Sequence, residues 1–290
     1  SHHKNIFGAH NVIYGLLYRD TKIILSNRFP QEFPTFAMNK YTKKLLMKSL
    51  QETYKIKSYE ADLNAALKPQ SMMLMMQELA NLHADALGFG YDNLMEKGII
   101  WVLSRSHVIF RRVPKWREEV YFKTWHKGSD KLFGLRDFIM TGEGGEEIAT
   151  ATTSWLIIGT ESRRLQRIEQ HIGNDHPSVN LVNAIEKPAP KLISPTELKL
   201  YRSRVVEFTD IDMNNHTNNA RYMEWALDSI HDTIPSDGFI SEFTVNFNHE
   251  SKIGEKLDHF KCKTDKGAFF EAKNGETSVV QIEFKFSNAL

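Results

Sequence analysis

The chain repeats one order of predicted elements: a strand, a loop, a helix and then several strands. Apolar residues at helical spacing predict a helix over 71–87, ended by Gly88, and a second helix over 218–230. A shift of 150 residues brings the second loop and helix onto the first, and after the helix the shift becomes 137. This repeat constrains the fold strongly, because each copy must bury its apolar helix face against its own strands.

Runs of strand length, separated by Gly, Asp and Ser, follow the first helix. The predicted strands cover 50–59, 99–112, 119–126, 132–141 and 148–158 in the first copy, then 202–208 and three or four later strands in the second. A helix with one apolar face packs with antiparallel strands as a sheet wrapped around the helix. We therefore predict an α+β fold of two tandem hot-dog units, each an antiparallel sheet wrapped around a long helix, joined in one continuous sheet.

The predicted organisation has two units and a connection. The N-terminal unit covers 38–172, a linker covers 173–198 and the C-terminal unit covers 199–290. The linker is rich in Asn, Pro, Ser and Lys, a composition typical of a connection that crosses the surface. Residues 1–37 are expected to be an appendage outside the fold, because the first three residues resemble a tag remnant and Met38 reads as a natural start.

The charges nearly balance, with 37 Lys and Arg against 36 Asp and Glu and a net charge of +1. This balance argues against general binding to nucleic acid or to a membrane surface. One cysteine, Cys262, excludes an intramolecular disulfide and a Cys-based zinc site, and it fits a reducing compartment. We expect a cytoplasmic protein without a metal or other cofactor. No apolar run reaches the ~18 residues of a membrane span.

The segment 210–219 concentrates polar side chains just before the second helix: two carboxylates, four Asn and His216. A helix N-terminus presents unpaired backbone N–H groups and a positive dipole end. Beside a His and an Asn amide, it can hold a carbonyl group for attack. The alternative is an Asn-rich turn that only caps the helix, and we favour capping for Asn218 and Asn219.

Comparison of the two copies distinguishes residues with a structural role from residues with a catalytic one. The copies agree at Asp62/Asp212 and Asn64/Asn214, and they differ at Ala66/His216 and Val113/Glu250. The shared Asp-x-Asn turn is therefore predicted to be scaffold. The chemistry is predicted to lie on His216 and Glu250, and Asn214 serves both roles.

Four segments, in this order along the family's pattern, resemble the acyl-ACP thioesterases of plants and bacteria. Arg112–Trp116 resembles the family's R-Y-P-x-W turn, Ala151–Trp155 its A-T-S-x-W segment, Arg163–Gln166 its R-R-L-Q segment and Asp212–Asn219 its D-x-N-x-H-x-N-N loop. The resemblance covers roughly residues 48–290. It implies hydrolysis of the thioester of an acyl-[acyl-carrier-protein], which releases free fatty acid in fatty acid biosynthesis.

The resemblance also implies roles for single residues. The family's acidic residue lies 34 positions after the His, which corresponds to Glu250, and the cysteine of older accounts is Ser251 here. Glu250 is then the general base for water, Asn214 and His216 polarise the carbonyl or orient the water, and Asp212 positions the loop. A route in which a carboxylate attacks and forms an acyl anhydride stays open.

The acyl chain is implied to lie in the first copy, along its Met-rich helix, although a buried core helix fits the same residues. Our candidates for lining that tunnel are Met72, Met76, Trp101 and Leu103. Acyl carrier proteins are acidic, so a local basic surface is needed to bind one. For that contact we choose the cluster Arg163, Arg164 and Arg167.

Two other functions suit the same scaffold. One is dehydration of hydroxyacyl thioesters, which also uses a His with a carboxylate, and the other is a non-catalytic module that binds acyl carriers or lipids. The Asp-x-Asn-x-His loop and the R-R-L-Q segment favour hydrolysis. Exposed sheet edges make a homodimer plausible.

Overall fold

Eleven strands form one antiparallel sheet in this computed structural model, which describes residues 48–172 and 182–288. The strands are β1 Leu50–Lys55, β2 Ile99–Phe110, β3 Glu119–Asp130, β4 Phe133–Thr141, β5 Glu147–Gly159, β6 Leu165–Gln166, β7 Lys199–Val205, β8 Gly238–Phe247, β9 Lys256–Thr264, β10 Gly267–Asn274 and β11 Thr277–Asn288. Their order is β1-β3-β4-β5-β2-β8-β11-β10-β9-β7, and the short β6 pairs with β5. The second half of this order reverses the first, so β2 and β8 meet at the centre as equivalent strands.

Within residues 48–172 and 182–288, four α-helices accompany the sheet. They are α1 Pro69–Leu87, α2 Tyr91–Met95, α3 Ile168–Ile172 and α4 Asn219–Ile230. Helix α1 begins two residues before the predicted start, because Pro69 fits a first helical turn, and Gly88 ends it with φ of 78°. Asn218 caps α4, since its side-chain oxygen accepts from the Ala220 N–H at 2.9 Å. No helix within the described ranges is long and apolar enough to cross a membrane.

One apolar core crosses both halves of the molecule. Helices α1 and α4 contact each other, and each packs on strands of its own half. Met72 and Leu79 of α1 share this core with Met223 of α4 and with Phe243 and Phe284 of the second half of the sheet, all at 0% exposure. The predicted α+β fold, with one continuous antiparallel sheet and a long helix in each half, is therefore confirmed.

The segment 182–198 contains no helix or strand, and it is hydrogen-bonded to both halves. In the first half, the Asp137 carboxylate accepts from the Ala184 N–H at 2.8 Å. In the second half, the Asn246 side chain accepts from the Leu192 N–H at 2.8 Å and donates to the Pro190 carbonyl at 2.9 Å. The unit boundaries stay a prediction, and residues 1–37 and 173–181 lie outside the described residues.

The repeat is visible in the backbone hydrogen bonds that close each loop. Asp62 N–H donates to the Ala66 carbonyl at 2.8 Å, and Asp212 N–H donates to the His216 carbonyl at 2.9 Å. Leu67 N–H donates to the Pro114 carbonyl and Thr217 N–H to the Ser251 carbonyl, both at 2.9 Å. The structure therefore has the two shifts that the sequence predicts. His216 stands at the position of Ala66, and Glu250 stands at that of Val113.

Candidate active site

A tight loop carries the predicted catalytic residues of the second half. The Asp212 carboxylate accepts a hydrogen bond from the Asn214 N–H at 2.8 Å, and the Asn215 N–H donates to the Asp212 carbonyl at 3.0 Å. Asn215 has a φ of 62°, a left-handed conformation that Asn adopts more readily than most residues. Asp212 thus fixes the turn that presents His216.

His216 and Glu250 form the central contact of the site. His216 Nε2 lies 3.1 Å from Glu250 Oε2, and the two side chains are 19% and 32% exposed. An imidazole N–H can donate to a carboxylate at this distance. The pair is thus held together at a depth that water can still reach.

A buried hydroxyl network sets the distance between these two residues. Ser251 is fully buried, and its Oγ lies 2.7 Å from both Thr217 Oγ1 and Tyr222 Oη. Its carbonyl also accepts from the Thr217 N–H at 2.9 Å. Because Ser251 follows Glu250 and Thr217 follows His216, these bonds hold the two chain segments side by side. Burial is the main cause that raises the pKa of the Tyr222 phenol above its usual value.

A third side chain reaches the site from the first half of the molecule. Arg163 lies in the turn between β5 and β6, and its Nη2 contacts Glu250 Oε2. The backbone of Arg163 has a φ of 52° and its N–H donates to the Gly159 carbonyl at 3.0 Å. The site is therefore built from both halves of the chain.

Two cavities follow one face of α1. The first is lined by Met76, Leu103, Ser106 and Trp155, together with Asn219 and Ala220 at the start of α4. The second is lined by Ala80, Ala84, Phe89, Trp101 and Gly134, and it shares Trp155 with the first. Together they follow α1 from the turn that follows His216 to the neighbourhood of Trp101.

The second cavity has a polar side as well as an apolar one. Arg136 lines it at 4% exposure, with Nη1 at 2.8 Å from His83 Nδ1 and 3.2 Å from Thr124 Oγ1. Burial lowers the pKa of this guanidinium to about 9. Within residues 48–172 and 182–288, no three or more His, Cys, Asp or Glu side chains are arranged to hold a metal ion.

Two family models match most of the chain. The acyl-ACP thioesterase N-terminal domain matches residues 47–175, and the acyl-ACP thioesterase C-terminal domain matches residues 194–288. The chain belongs to the acyl-ACP thioesterase family.

Curated relatives from plants are similar over most of this chain. An oleoyl-acyl carrier protein thioesterase 2, chloroplastic, of Arabidopsis thaliana is 27% identical over 227 residues, which are 72% of this chain and 62% of that protein. A dodecanoyl-[acyl-carrier-protein] hydrolase, chloroplastic, of Cinnamomum camphora is 28% identical over 218 residues, or 71% of this chain and 57% of that protein. The chain thus spans about three fifths of the length of these thioesterases.

Solved structures of the family have the same fold. An acyl-ACP thioesterase from Bacteroides thetaiotaomicron VPI-5482 superposes with a TM-score of 0.74 at 24% identity, covering 86% of this chain and 100% of that one. A 12:0-ACP thioesterase from Umbellularia californica gives a TM-score of 0.72 at 23% identity, covering 83% and 98%. These likenesses confirm the predicted tandem hot-dog fold.

The structure brings some of the predicted thioesterase residues together and separates others. His216 and Glu250 are in contact, Asp212 bonds to the loop backbone, and Asn214 is exposed beside it. Met76, Leu103 and Trp101 line the cavities, whereas Met72 lies in the core and lines neither. Arg164 and Arg167 are exposed, but Arg163 contacts Glu250. Their roles in catalysis and binding stay predictions.

Sequence reasoning missed three contributors to this site. Ser251 was recognised only as the residue in place of a cysteine, and nothing in the sequence pairs it with Tyr222. Arg163 was chosen as a basic residue for a carrier protein, because no sequence pattern shows that its turn reaches Glu250. Arg136 lies in a strand whose alternation of burial is weak, and its burial was therefore not predicted.

Proposed function

We propose that this protein hydrolyses the thioester of acyl-[acyl-carrier-protein] and releases a free fatty acid. The observation that carries the proposal is the contact between His216 and Glu250 beside an apolar cavity, in a chain of the acyl-ACP thioesterase family. The acyl chain lies along α1, in the row of cavities from Met76 to Trp101. Met and aromatic side chains suit a linear apolar chain, because they fill irregular space without polar groups.

The chemistry is attack of water on the thioester carbonyl. Glu250 accepts a proton from the water, whose oxygen bonds to the carbonyl carbon and pushes charge onto the carbonyl oxygen. Donors at the loop and at the first turn of α4, with the Asn214 amide, stabilise that oxygen. The C–S bond then breaks, Glu250 returns the proton to the sulfur, and the products are a carboxylic acid and the carrier's thiol.

The test is release of fatty acid from purified acyl-carrier-protein thioesters of graded chain length. The wild-type protein is expected to release both the acid and a free thiol, and Glu250→Gln is expected to lose about 10²-fold or more in kcat because it cannot accept a proton. Glu255→Gln is a matched control five residues away, outside the site, and should keep full activity. Equal activity of Glu250→Gln and wild type would exclude this mechanism.

The same assay separates the competing reactions. A dehydratase would convert a 3-hydroxyacyl thioester to an unsaturated one without free thiol, and a binding module would turn over neither substrate. A single turnover in heavy-oxygen water, followed by mass spectrometry of the protein, tests the anhydride route. Label in Asp212 or Glu250 would indicate attack by a carboxylate.

The partner, assembly and location are part of the proposal. Arg164 and Arg167 are exposed cations that suit the acidic surface of a carrier protein. Strands β1 and β7 end the sheet and provide edges for a homodimer, which light scattering after gel filtration would test. A cytoplasmic location is supported only by the single Cys262, and imaging of a tagged protein in its own cell tests it.

A further inference from the structure

The turn between β5 and β6 carries Arg163. Strand β5 of the first half corresponds to β11 of the second, because Ala151 pairs with Val108 of β2 as Ile282 pairs with Val245 of β8, and the two halves then share five strands. Strand β6 and the turn that carries Arg163 have no counterpart among the described residues of the second half. The turn of Arg163 reaches Glu250, the position whose equivalent in the first half is Val113.

Two backbone hydrogen bonds hold this turn and fix the position of Arg163. Arg163 N–H donates to the Gly159 carbonyl, and Gly159 N–H donates to the Arg164 carbonyl, both at 3.0 Å. The φ of 52° at Arg163 is uncommon for a residue with a long side chain, and it persists only where the surrounding structure imposes it. The turn therefore determines which of two adjacent arginines meets the carboxylate.

The two contacts to Glu250 are made to the same oxygen. Arg163 Nη2 and His216 Nε2 both contact Oε2. A carboxylate that accepts from an arginine at one oxygen, with an imidazole nitrogen against the same oxygen, keeps its other oxygen for a proton. Such a fixed orientation is what a general base needs, because misplacement by about 1 Å can cost 10²-fold in rate.

We propose that Arg163 is a positioning residue of the hydrolytic reaction, which holds Glu250 Oε2 so that Oε1 meets the attacking water. This inference rests on the proposed function. The ion pair is exposed to solvent, with side chains 41% and 32% exposed, so it contributes little to stability. Loss of this ion pair therefore lowers the rate of the chemical step and leaves folding and substrate affinity nearly unchanged.

The test compares kcat with KM on acyl-carrier-protein thioester for Arg163→Ala, Arg163→Gln and Arg163→Lys. We expect the first two variants to lose about 10- to 100-fold in kcat with KM within about twofold, since orientation acts on the reacting geometry. Arg163→Lys should recover part of kcat, because it keeps the charge without the planar fork. Added guanidinium ion should raise kcat of Arg163→Ala and leave Arg163→Gln, whose side chain fills the space, nearly unchanged.

The matched control is Arg111→Ala. Arg111 also forms an exposed ion pair from the first half, with Nε at 3.2 Å from Glu147 Oε1, and its removal should change neither kcat nor KM. A raised KM with full kcat in Arg163→Ala would overturn the inference and make Arg163 a carrier contact. An inactive wild-type protein would overturn the proposed function itself. An active wild type with fully active Arg163→Ala and Arg163→Gln would overturn only this inference.

Discussion

The short distance between His216 and Glu250 depends on one buried hydroxyl at the next position. Ser251→Ala removes the partner of Thr217 Oγ1 and Tyr222 Oη, both 2.7 Å away in the protein. The variant leaves Thr217 Oγ1 only its 3.2 Å bond to the carbonyl of residue 251, and the loss of the buried hydroxyl should lower the free energy of unfolding by about 1–3 kcal/mol. Urea unfolding measures this loss, and fatty acid release should fall with it.

The control for this variant is Ser287→Ala, which removes an exposed bond of 2.9 Å to Ser241 and should leave both stability and activity unchanged. If Ser251→Ala kept full stability and lost only activity, the hydroxyl would act in the chemistry. That outcome would contradict its role as a frame for the site.

A buried histidine away from the site gives the fold a pH dependence. His259 is fully buried, stacks on Trp225 and meets Phe270 edge-on. Burial, and then the charges of Arg202 and Arg204, lower the pKa of this imidazole to about 4. The ring is neutral when folded and takes up a proton on unfolding below pH ~6.5. Stability present above that pH is therefore lost as the pH falls toward 4.

His259→Phe should remove this loss, because a phenyl ring keeps the stacking and has no group to protonate. Between pH 7 and 4.5 the wild-type protein should lose on the order of 1–3 kcal/mol more unfolding free energy than the variant. Urea unfolding at both pH values measures the difference. The exposed His249→Gln should follow the wild type, and a parallel decline in His259→Phe would contradict the assignment to His259.

At the scale of elements, α1 carries the cavities at regular intervals. Met76, Ala80 and Ala84 line them in sequence, and each step of four residues advances about 6 Å along the helix. If the acyl chain follows α1, a bulky residue at each position should stop it at a different depth. Met76→Trp should shorten the released acids most, Ala80→Leu less and Ala84→Leu least.

Gas chromatography of fatty acids released from a mixture of acyl-carrier-protein thioesters measures this series. Leu82→Phe is the control on the same helix, because Leu82 is 40% exposed and faces away from the cavities. An unchanged chain-length profile in all three cavity variants would show that the chain lies elsewhere.

The elements themselves could largely be predicted from the sequence, because their periodicities are strong. The helix over 71–87 and the strands that follow it in the first half are found within a few residues of the predicted bounds, but the strand predicted over 50–59 was wrong at its end, because β1 stops at Lys55. The strand predicted over 202–208 was wrong at its end: β7 stops at Val205, because residues 207–210 form a tight turn in which the Asp210 N–H donates to the Glu207 carbonyl at 3.0 Å.

His216 and Glu250 could be predicted from the sequence, because they are positions at which the two copies of the repeat differ. The contact of Arg163 with Glu250 joins residues 87 positions apart through a turn, and no periodicity records such a contact. Met72 is predicted to line the tunnel, like Met76, because it belongs to the Met-rich helix and Met fills irregular space. A core stripe and a cavity wall have the same pattern, so the sequence does not separate them.

At the scale of the whole molecule, the two halves share an apolar core and are joined by the pairing of β2 with β8. We therefore expect them to unfold together. Strands β2 and β8 pair directly, with Arg105 opposite Asn246 and Ile109 opposite Glu242. Elements that pack into a shared core tend to open together as one cooperative unit. The segment 182–198, bonded to both halves, adds to this coupling.

Asp137→Asn tests the coupling from one side. Asp137 and Lys127 are a buried ion pair at 3.0 Å that also holds Ala184 and Ile185 of the connecting segment. Removing one charge of a buried pair leaves the other unpaired and should cost about 3–5 kcal/mol. Hydrogen exchange in dilute urea should then show β4 and the distant β10 losing protection by equal amounts.

The control is Glu143→Gln, which changes an exposed carboxylate of the same half and should alter the protection of neither strand. Loss of protection in β4 with β10 unchanged would instead show that the two halves unfold independently, and the shared core would then contribute little to holding them together.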